Sequence, residues 1–177
     1  MNGLIIIRSP AIWFCYLGHS WAVMHAIDIR LSELGLTLPV PPQPAGQYRA
    51  TMQSDSLAFL SGQFPFVNGE LAYRGIVGRN LSLAEGQEAA KSAALNVLAH
   101  LRAMSLSWHN FGALLRVDGY VSSAAGFYEQ PKVLDGASTL FAEVLGDRAG
   151  HVRTAFSVSQ LPLNAAIELV VIAKLSQ

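Results

Sequence analysis

The hydrophobic positions of residues 24–46 repeat at helical spacing and then give way to prolines. Ile27, Leu31 and Leu34 fall on one face of a helix, and Gly35 is a natural end for it. The prolines that follow exclude a helix and predict an extended arm; they are Pro39, Pro41, Pro42 and Pro44.

Two longer stretches also carry apolar residues at intervals of three and four, which predicts two longer helices. The first begins at Ser82, where Glu85 three residues later completes a capping box. Its buried face is Ala90, Ala93, Ala94, Val97, Leu98 and Leu101. The second begins near Pro131, a favoured first-turn residue, and ends at Gly146. Its buried stripe is Val133, Leu134, Ala137, Leu140, Phe141, Val144 and Leu145.

The remaining pattern is that of strands. From Tyr48, where the folded core is expected to begin, short apolar runs are separated by the turn signals Ser54-Asp55 and Asn68-Gly69. The stretch "ALLRVDGYVSS" alternates, with one face formed by Leu115, Val117, Gly119 and Val121 and the other by Arg116, Asp118 and Tyr120. The order of strands, helix, strand, helix, strands predicts an α+β fold in which two helices pack on one face of a mixed sheet.

The two most apolar strands each contain a charged residue. Arg153 shares its strand face with Ala155, Ser157 and Ser159, so solvent, a ligand or another subunit must fill the space beside it. Glu168 shares its face with apolar residues, and burying an unpaired carboxylate is costly. Either Arg153 and Glu168 form an ion pair within a hairpin, which would add little net stability, or they belong to a functional site.

Composition restricts the classes of function. The chain has 177 residues, 51% hydrophobic and 14% charged, which suits one folded domain. A surface so poor in charge indicates either that other subunits cover part of it or that it carries an exposed apolar patch. Twelve basic and twelve acidic residues cancel, and there is no basic run, which argues against a nucleic-acid partner. The single Cys15 argues for a reducing compartment such as the cytoplasm. The five histidines are widely separated, so we expect no metal site.

The first 23 residues are apolar but contain Arg8, Pro10 and His19, so no run is long enough to span a membrane. They also lack the basic start of a signal peptide. We interpret them as a poorly structured extension outside the fold, or as translation from a start upstream of Met24; a targeting segment is the alternative. The predicted organisation is therefore an extension (1–23), a helix with a proline-rich arm (24–46) and a folded domain (47–177).

Three motifs carry a resemblance to a known family. They are "FLSGQFP", the helix "LSLAEGQEAAKSAALNVLAHL" and "VRTAFSVSQLPLNAAIELVVIA", in which Arg153, Leu161-Pro162 and Glu168 have the family's spacing. From Met24 to its C-terminus the chain resembles the Rid/YjgF-type reactive-intermediate deaminases, once labelled L-PSP endoribonucleases. It is most similar to the branch that carries an "LGLTLPVPP"-like arm and a "QPKVLDGASTLFAEVLG" helix.

The resemblance implies a chorismate-mutase-like fold, a trimeric barrel-like assembly and pockets between the subunits of a homotrimer. It implies hydrolysis of 2-enamino or 2-imino acids to 2-keto acids and ammonia, without a cofactor or a metal. In this reading Arg153 clamps the substrate carboxylate, and Glu168 activates water and moves protons. The backbone at Ala155 helps to hold that water, and Tyr48 closes over the substrate. The pocket wall is formed by Ser61 and Gly62.

The chain departs from the family pattern at several positions. Ala155 stands where a cysteine is frequent, which matters little if only its backbone acts. Asp135 or Gly136 falls near a position that often holds asparagine. His151 has no role in the family pattern and is interpreted as structural, while Tyr48 is either a pocket residue or a core residue.

Two rival functions remain open beside the deaminase. The first is a non-catalytic protein of the same fold that binds a small carboxylate metabolite through Arg153. Glu168 favours catalysis, because a negative group beside a carboxylate clamp does not help binding alone. The second is an endoribonuclease, against which the zero net charge argues.

Overall fold

The computed structural model describes the backbone of residues 6–9, 12–17 and 20–176, and the side chains of residues 24–176. The chain divides into two compact units, residues 1–37 and 38–177.

The first unit contains a small antiparallel sheet and a helix. Its strands follow the order β1-β2-β3; they are β1 (Ile6–Ser9), β2 (Ile12–Leu17) and β3 (Ser20–Val23). Their aromatic and β-branched residues favour strands. The expectation that the first 23 residues are poorly structured is therefore wrong where these strands form, whereas their place outside the main fold stays a prediction. Helix α1 (Ala26–Glu33) confirms the predicted first helix, with Ile27 and Leu31 buried.

The second unit is built on a five-stranded mixed sheet with two helices, which confirms the predicted α+β class. The strand order is β4-β5-β10-β8-β9, and only β8 and β9 are parallel. These strands are β4 (Thr51–Ser54), β5 (Leu57–Gln63), β8 (Phe111–Ser122), β9 (Val152–Val158) and β10 (Ile167–Leu175). A separate hairpin is formed by β6 (Phe66–Val67) and β7 (Glu70–Leu71).

The helices α2 (Leu83–Met104) and α3 (Gln130–Leu145) pack against the sheet. The predicted capping box is present, since Ser82 Oγ accepts a hydrogen bond from the Glu85 amide at 3.2 Å while the Glu85 carboxylate accepts one from the Ser82 amide at 2.7 Å. Pro131 lies in the first turn of α3, and the helix ends at Gly146, whose φ of 58° suits glycine. A 3-10 turn (Gly146–Ala149) then leads to β9.

Register places the core on the face of the sheet toward the helices. Leu60, Val171 and Val117 lie side by side across β5, β10 and β8, and all three are buried. One prediction fails on this face: Leu114 rather than Leu115 is buried, and Leu115 is 37% exposed. The cause is a register shift, because Ile172 pairs with Arg116 and Ala173 with Leu114, which leaves Leu115 as a bulge.

The prolines form the expected extended arm, because neither helix nor strand occurs between Leu34 and Thr51. The Asn68-Gly69 turn that joins β6 to β7 has φ values of 52° and 83°, which confirms the predicted hairpin. No helix in the described part of the chain is long and apolar enough to cross a bilayer.

Candidate functional site

The sequence-predicted site residues fall into two groups on opposite faces of the sheet. Arg153 on β9 pairs with Val117 on β8, which pairs in turn with Val171 on β10, and both valines face the helices. Glu168 lies beside Tyr120 and Phe156, which face away from the helices. The rings of that second pair stack at 5.2 Å. The hypothesis of an Arg153–Glu168 ion pair within a hairpin is therefore wrong for a single chain.

Glu168 is a half-buried carboxylate with no hydrogen-bond partner among the described residues. Burial raises the pKa of its carboxyl group, because the charged form loses hydration and gains no compensating charge. A carboxyl group in this condition can hold and release a proton closer to neutral pH than an exposed one.

Gly62 contacts the Glu168 side chain directly. A Cβ atom at residue 62 would overlap the Glu168 carboxylate and lie 2.9 Å from its Cγ. The contact arises at a bulge, because Leu169 pairs with Gln63 and Val171 with Leu60. Ser61 and Gly62 together therefore stand opposite Val170 alone, and the bulge brings the β5 backbone to the carboxylate.

A small cavity of about 60 Å³ adjoins this bulge. Three of the predicted site residues, Tyr48, Ser61 and Gly62, line it together. Tyr48 is 51% exposed, so it is not a core residue, and its hydroxyl accepts a hydrogen bond from the Ala45 amide at 3.2 Å. The structure thus places these three residues in the lining of one cavity, and one of them, Gly62, contacts Glu168, whereas Arg153 lines a different cavity.

Side chains of α2 form hydrogen bonds to the backbone of residues that line the small cavity. The Asn96 side-chain amide is fully buried and donates to the carbonyl oxygens of Phe64 at 2.9 Å and Phe66 at 3.0 Å. One helical turn later, burial lowers the pKa of His100, although its hydrogen bond to the Pro42 carbonyl acts in the opposite direction. Phe64, Phe66 and Pro42 all line the cavity, so α2 positions both the strand and the arm around it.

Arg153 is bound by α3. Its Nη1 donates to Asp135 Oδ1 at 2.9 Å and to Ser138 Oγ at 3.0 Å, and its Nη2 donates to the Pro131 carbonyl at 3.2 Å. These bonds use three of the five guanidinium N–H groups, so Nε and one proton of Nη2 are left for another acceptor. The side chain is 24% exposed and lines a cavity of about 550 Å³. Part of the space beside the small residues of β9 is therefore filled by α3.

Ala155 lies on β9 opposite Gly119 and shares the face of Arg153. Gly119 leaves room there for the Leu134 side chain on α3, because a Cβ atom at that position would fall 2.5 Å from Leu134 Cδ2. Ala155 is thus grouped with Arg153 and not with Glu168.

Four residues were not predicted as site members. Asp135 and Ser138 bind Arg153, and His151 contacts Ser138 in the lining of the same cavity. Only their position near the family's motif could have indicated them. Leu163 also lines the small cavity. Its backbone has the left-handed conformation, with a φ of 59°, which the local sequence does not predict. In the described part of the chain, no group of three or more His, Cys, Asp or Glu residues could hold a metal ion.

The fold and these motifs define a member of one family. The chain belongs to the YjgF/chorismate mutase-like, putative endoribonuclease family, whose sequence model matches residues 28–175. This result confirms the resemblance and the fold class.

Individual relatives support the same assignment. Protein TCP17 of Trypanosoma cruzi is 33% identical over 151 residues, which are 85% of this chain and 94% of that protein. The crystal structure of Atu1372, a protein of unknown function from Agrobacterium tumefaciens, is 38% identical with a TM-score of 0.79 and covers 85% of this chain and 93% of that one. A putative endoribonuclease from Shewanella oneidensis MR-1 is 31% identical with a TM-score of 0.82 and covers 85% and 99% of the two chains.

Proposed function

We propose that the protein hydrolyses reactive 2-enamino and 2-imino acids to 2-keto acids and ammonia. An enamine first gains a proton at C3 and loses one from nitrogen, which gives the imine. Water then adds to the imine carbon, and the resulting carbinolamine expels ammonia to leave a carbonyl group. The observation that carries the proposal is the half-buried Glu168 carboxyl, which is pressed against Gly62 beside a cavity of the family's fold. Imines hydrolyse in water without help, so positioning and proton transfer account for the catalysis, and no cofactor or metal is required.

Glu168 acts as the general acid and base of this reaction. Its raised pKa suits a group that must take a proton from the attacking water and return it to the departing nitrogen. Since no described residue hydrogen-bonds the carboxylate, both of its oxygens are available to the substrate and water.

Arg153 acts as the carboxylate clamp. Its Nε and one proton of Nη2 have no acceptor among the described residues, and a carboxylate can use both. The bonds to Asp135, Ser138 and Pro131 fix the guanidinium plane before the substrate arrives, which lowers the entropic cost of binding.

The placement of Arg153 and Glu168 on opposite faces of the sheet supports a complete site that is formed by two chains. Because Arg153 and Glu168 point in opposite directions within one chain, the Arg153 of one subunit would meet the Glu168, Gly62 and Tyr48 of its neighbour. Apolar side chains on the face of Glu168 support such an assembly, since Met52 is 58% exposed, Phe59 39% and Phe156 43%. We propose the homotrimer that the family resemblance implies.

The test is to generate 2-aminoacrylate in situ with a serine or threonine dehydratase and to follow the release of ammonia. Wild-type protein should accelerate the release, whereas Arg153→Ala and Glu168→Gln should each lower the acceleration by about 10²-fold or more. The matched control is Arg79→Ala, which removes an exposed arginine outside the lining of both cavities and should leave the rate unchanged.

The other outcomes identify the rivals. If wild-type protein binds pyruvate but does not accelerate release, the chain is a carboxylate-binding protein of the same fold. RNA cleavage that is lost steeply with added salt would indicate the endoribonuclease named in the family description. Normal turnover by Arg153→Ala would contradict the clamp.

A further inference from the structure

The cavity beside Arg153 contains two residues that the proposed deaminase does not use for chemistry. Ser138 Oγ lies 3.2 Å from His151 Nε2, and His151 Nδ1 lies 2.5 Å from the Ala149 carbonyl oxygen. The three groups thus form a continuous row of a hydroxyl, an imidazole and a carbonyl along the wall of one cavity.

The carbonyl determines which way the protons point. A backbone carbonyl can only accept a hydrogen bond, so the proton of the neutral imidazole lies on Nδ1. His151 Nε2 then carries a lone pair, and the hydroxyl of Ser138 donates to it. This is the arrangement of a serine nucleophile, its general base and the group that orients the base.

The His151 ring is held in place on its other side by Phe141. The two ring centroids are 6.0 Å apart at an interplanar angle of 88°, which is an edge-to-face contact. This contact and the hydrogen bonds at both ring nitrogens favour the ring orientation in which Nε2 is directed at Ser138.

The positive charge of Arg153 lies next to the Ser138 hydroxyl. Its Nη1 donates to Ser138 Oγ at 3.0 Å, so the guanidinium charge stabilises the oxygen as it loses its proton. Arg153 also keeps N–H groups with no described acceptor, and these can donate to the carbonyl oxygen of an ester on which negative charge develops. The cavity of about 550 Å³ that these residues line can hold a small ester.

We propose that Ser138, His151 and Arg153 form a second catalytic site, which hydrolyses small carboxylic esters by acyl transfer. Ser138 Oγ bonds to the ester carbonyl carbon and its proton passes to His151 Nε2. The tetrahedral oxyanion is stabilised by Arg153 and collapses, the ester C–O bond breaks, and the leaving alkoxide takes the proton from His151. Water then adds to the acyl-serine with His151 again as the base, which releases the acid and restores Ser138. The site shares Arg153 with the proposed deaminase, but its nucleophile Ser138 and its base His151 have no chemical role there, so covalent labelling of Ser138 tests it separately from ammonia release.

The experiment treats the full chain with diisopropyl fluorophosphate, which a nucleophilic serine attacks with loss of fluoride. Intact mass should show one diisopropylphosphoryl group per chain, and peptide mapping should place it on Ser138. His151→Phe keeps the ring volume but lacks the base, and it should slow labelling by about 10²-fold. Thr139→Ala, which removes an exposed hydroxyl next to Ser138 on α3, should label at the wild-type rate.

Turnover is measured with 4-nitrophenyl acetate. The release of nitrophenolate should fall to the uncatalysed rate in Ser138→Ala and His151→Phe, with circular dichroism confirming that both variants are folded. Wild-type protein that remains unlabelled, or a label on another residue, overturns the proposal. So does nitrophenolate release that Ser138→Ala leaves unchanged.

Discussion

At the scale of single residues, the half-buried Glu168 costs free energy of folding when its carboxyl group is charged. Its pKa is raised by burial, so as pH rises the unfolded chain loses this proton before the folded chain does. The stability contributed by the protonated form is fully present below the ordinary carboxyl pKa and is lost as pH rises through the raised value.

Glu168→Gln should therefore be more stable than wild type at neutral pH, and this advantage should shrink as pH falls through the raised pKa of Glu168 and be gone below the ordinary carboxyl pKa. Urea unfolding of both proteins at pH 3.5 and 7.5, at one protein concentration, measures the difference. Glu88→Gln on exposed α2 surface is the control. A difference that grows on acidification would mean that a cation, such as the Arg153 of a neighbour, stands beside the carboxylate.

A second prediction about single residues follows from the contact between Gly62 and Glu168. Gly62→Ala should destabilise the chain by about 1–3 kcal/mol, because the new methyl group overlaps the carboxylate. In a Glu168→Ala background the same substitution should cost much less, since the overlapping atoms are gone. A double-mutant cycle from urea unfolding measures the coupling, and additive effects would contradict the contact.

Single residues also show the limits of the sequence. A charge in an apolar strand was enough to indicate that Arg153 and Glu168 are unusual. Their placement on opposite faces could not be predicted, because it depends on which strands lie beside β9 and β10. The partner of Arg153, Asp135, comes from a helix packed across the sheet, and strand periodicity contains no information about it.

At the scale of elements, local signals were reliable where the physical cause is local. The capping box at Ser82, the prolines of the arm and the Asn68-Gly69 turn all act within a few residues, and the structure confirms each of them. The bulges at Ser61-Gly62 and Leu115 were missed because a bulge is a mismatch between two strands that are distant in the sequence.

The cap of α2 can be tested directly. Ser82→Ala removes the acceptor for the Glu85 amide and should lower the free energy of unfolding by about 1 kcal/mol. Ser82→Asp keeps an acceptor at the cap and should recover most of the loss. Thermal melting measures both, and equal melting temperatures for Ser82→Ala and wild type would show that the cap contributes nothing.

At the scale of the whole molecule, the proposed assembly can be tested quantitatively, because each site would take Arg153 from one subunit and Glu168 from its neighbour. When inactive Arg153→Ala and Glu168→Gln subunits exchange freely in equal amounts, roughly a quarter of the inter-subunit sites receive an intact residue from each parent. Deaminase activity should therefore recover to about a quarter of wild type.

The control is each variant mixed with itself under the same conditions, which should stay inactive. If the mixture also stays inactive although mass spectrometry shows that hybrid assemblies have formed, both residues must act within one chain. The experiment is informative because Arg153 and Glu168 lie on opposite faces of the sheet, which could not be predicted from the sequence.

The strand order also has a consequence for synthesis. The last strand, β10, lies in the middle of the sheet, between β5 and β8. It places Ile167, Leu169, Val171, Ala173 and Leu175 in the core, each no more than 2% exposed. Burying a large aliphatic side chain contributes roughly 1.5–3 kcal/mol, so the burial energy of this one strand is similar in size to the whole net stability of a typical domain. Because β10 is synthesised after β5 and β8, those two strands have no strand between them until β10 has left the ribosome, and the apolar surface of the nascent chain stays uncovered until then.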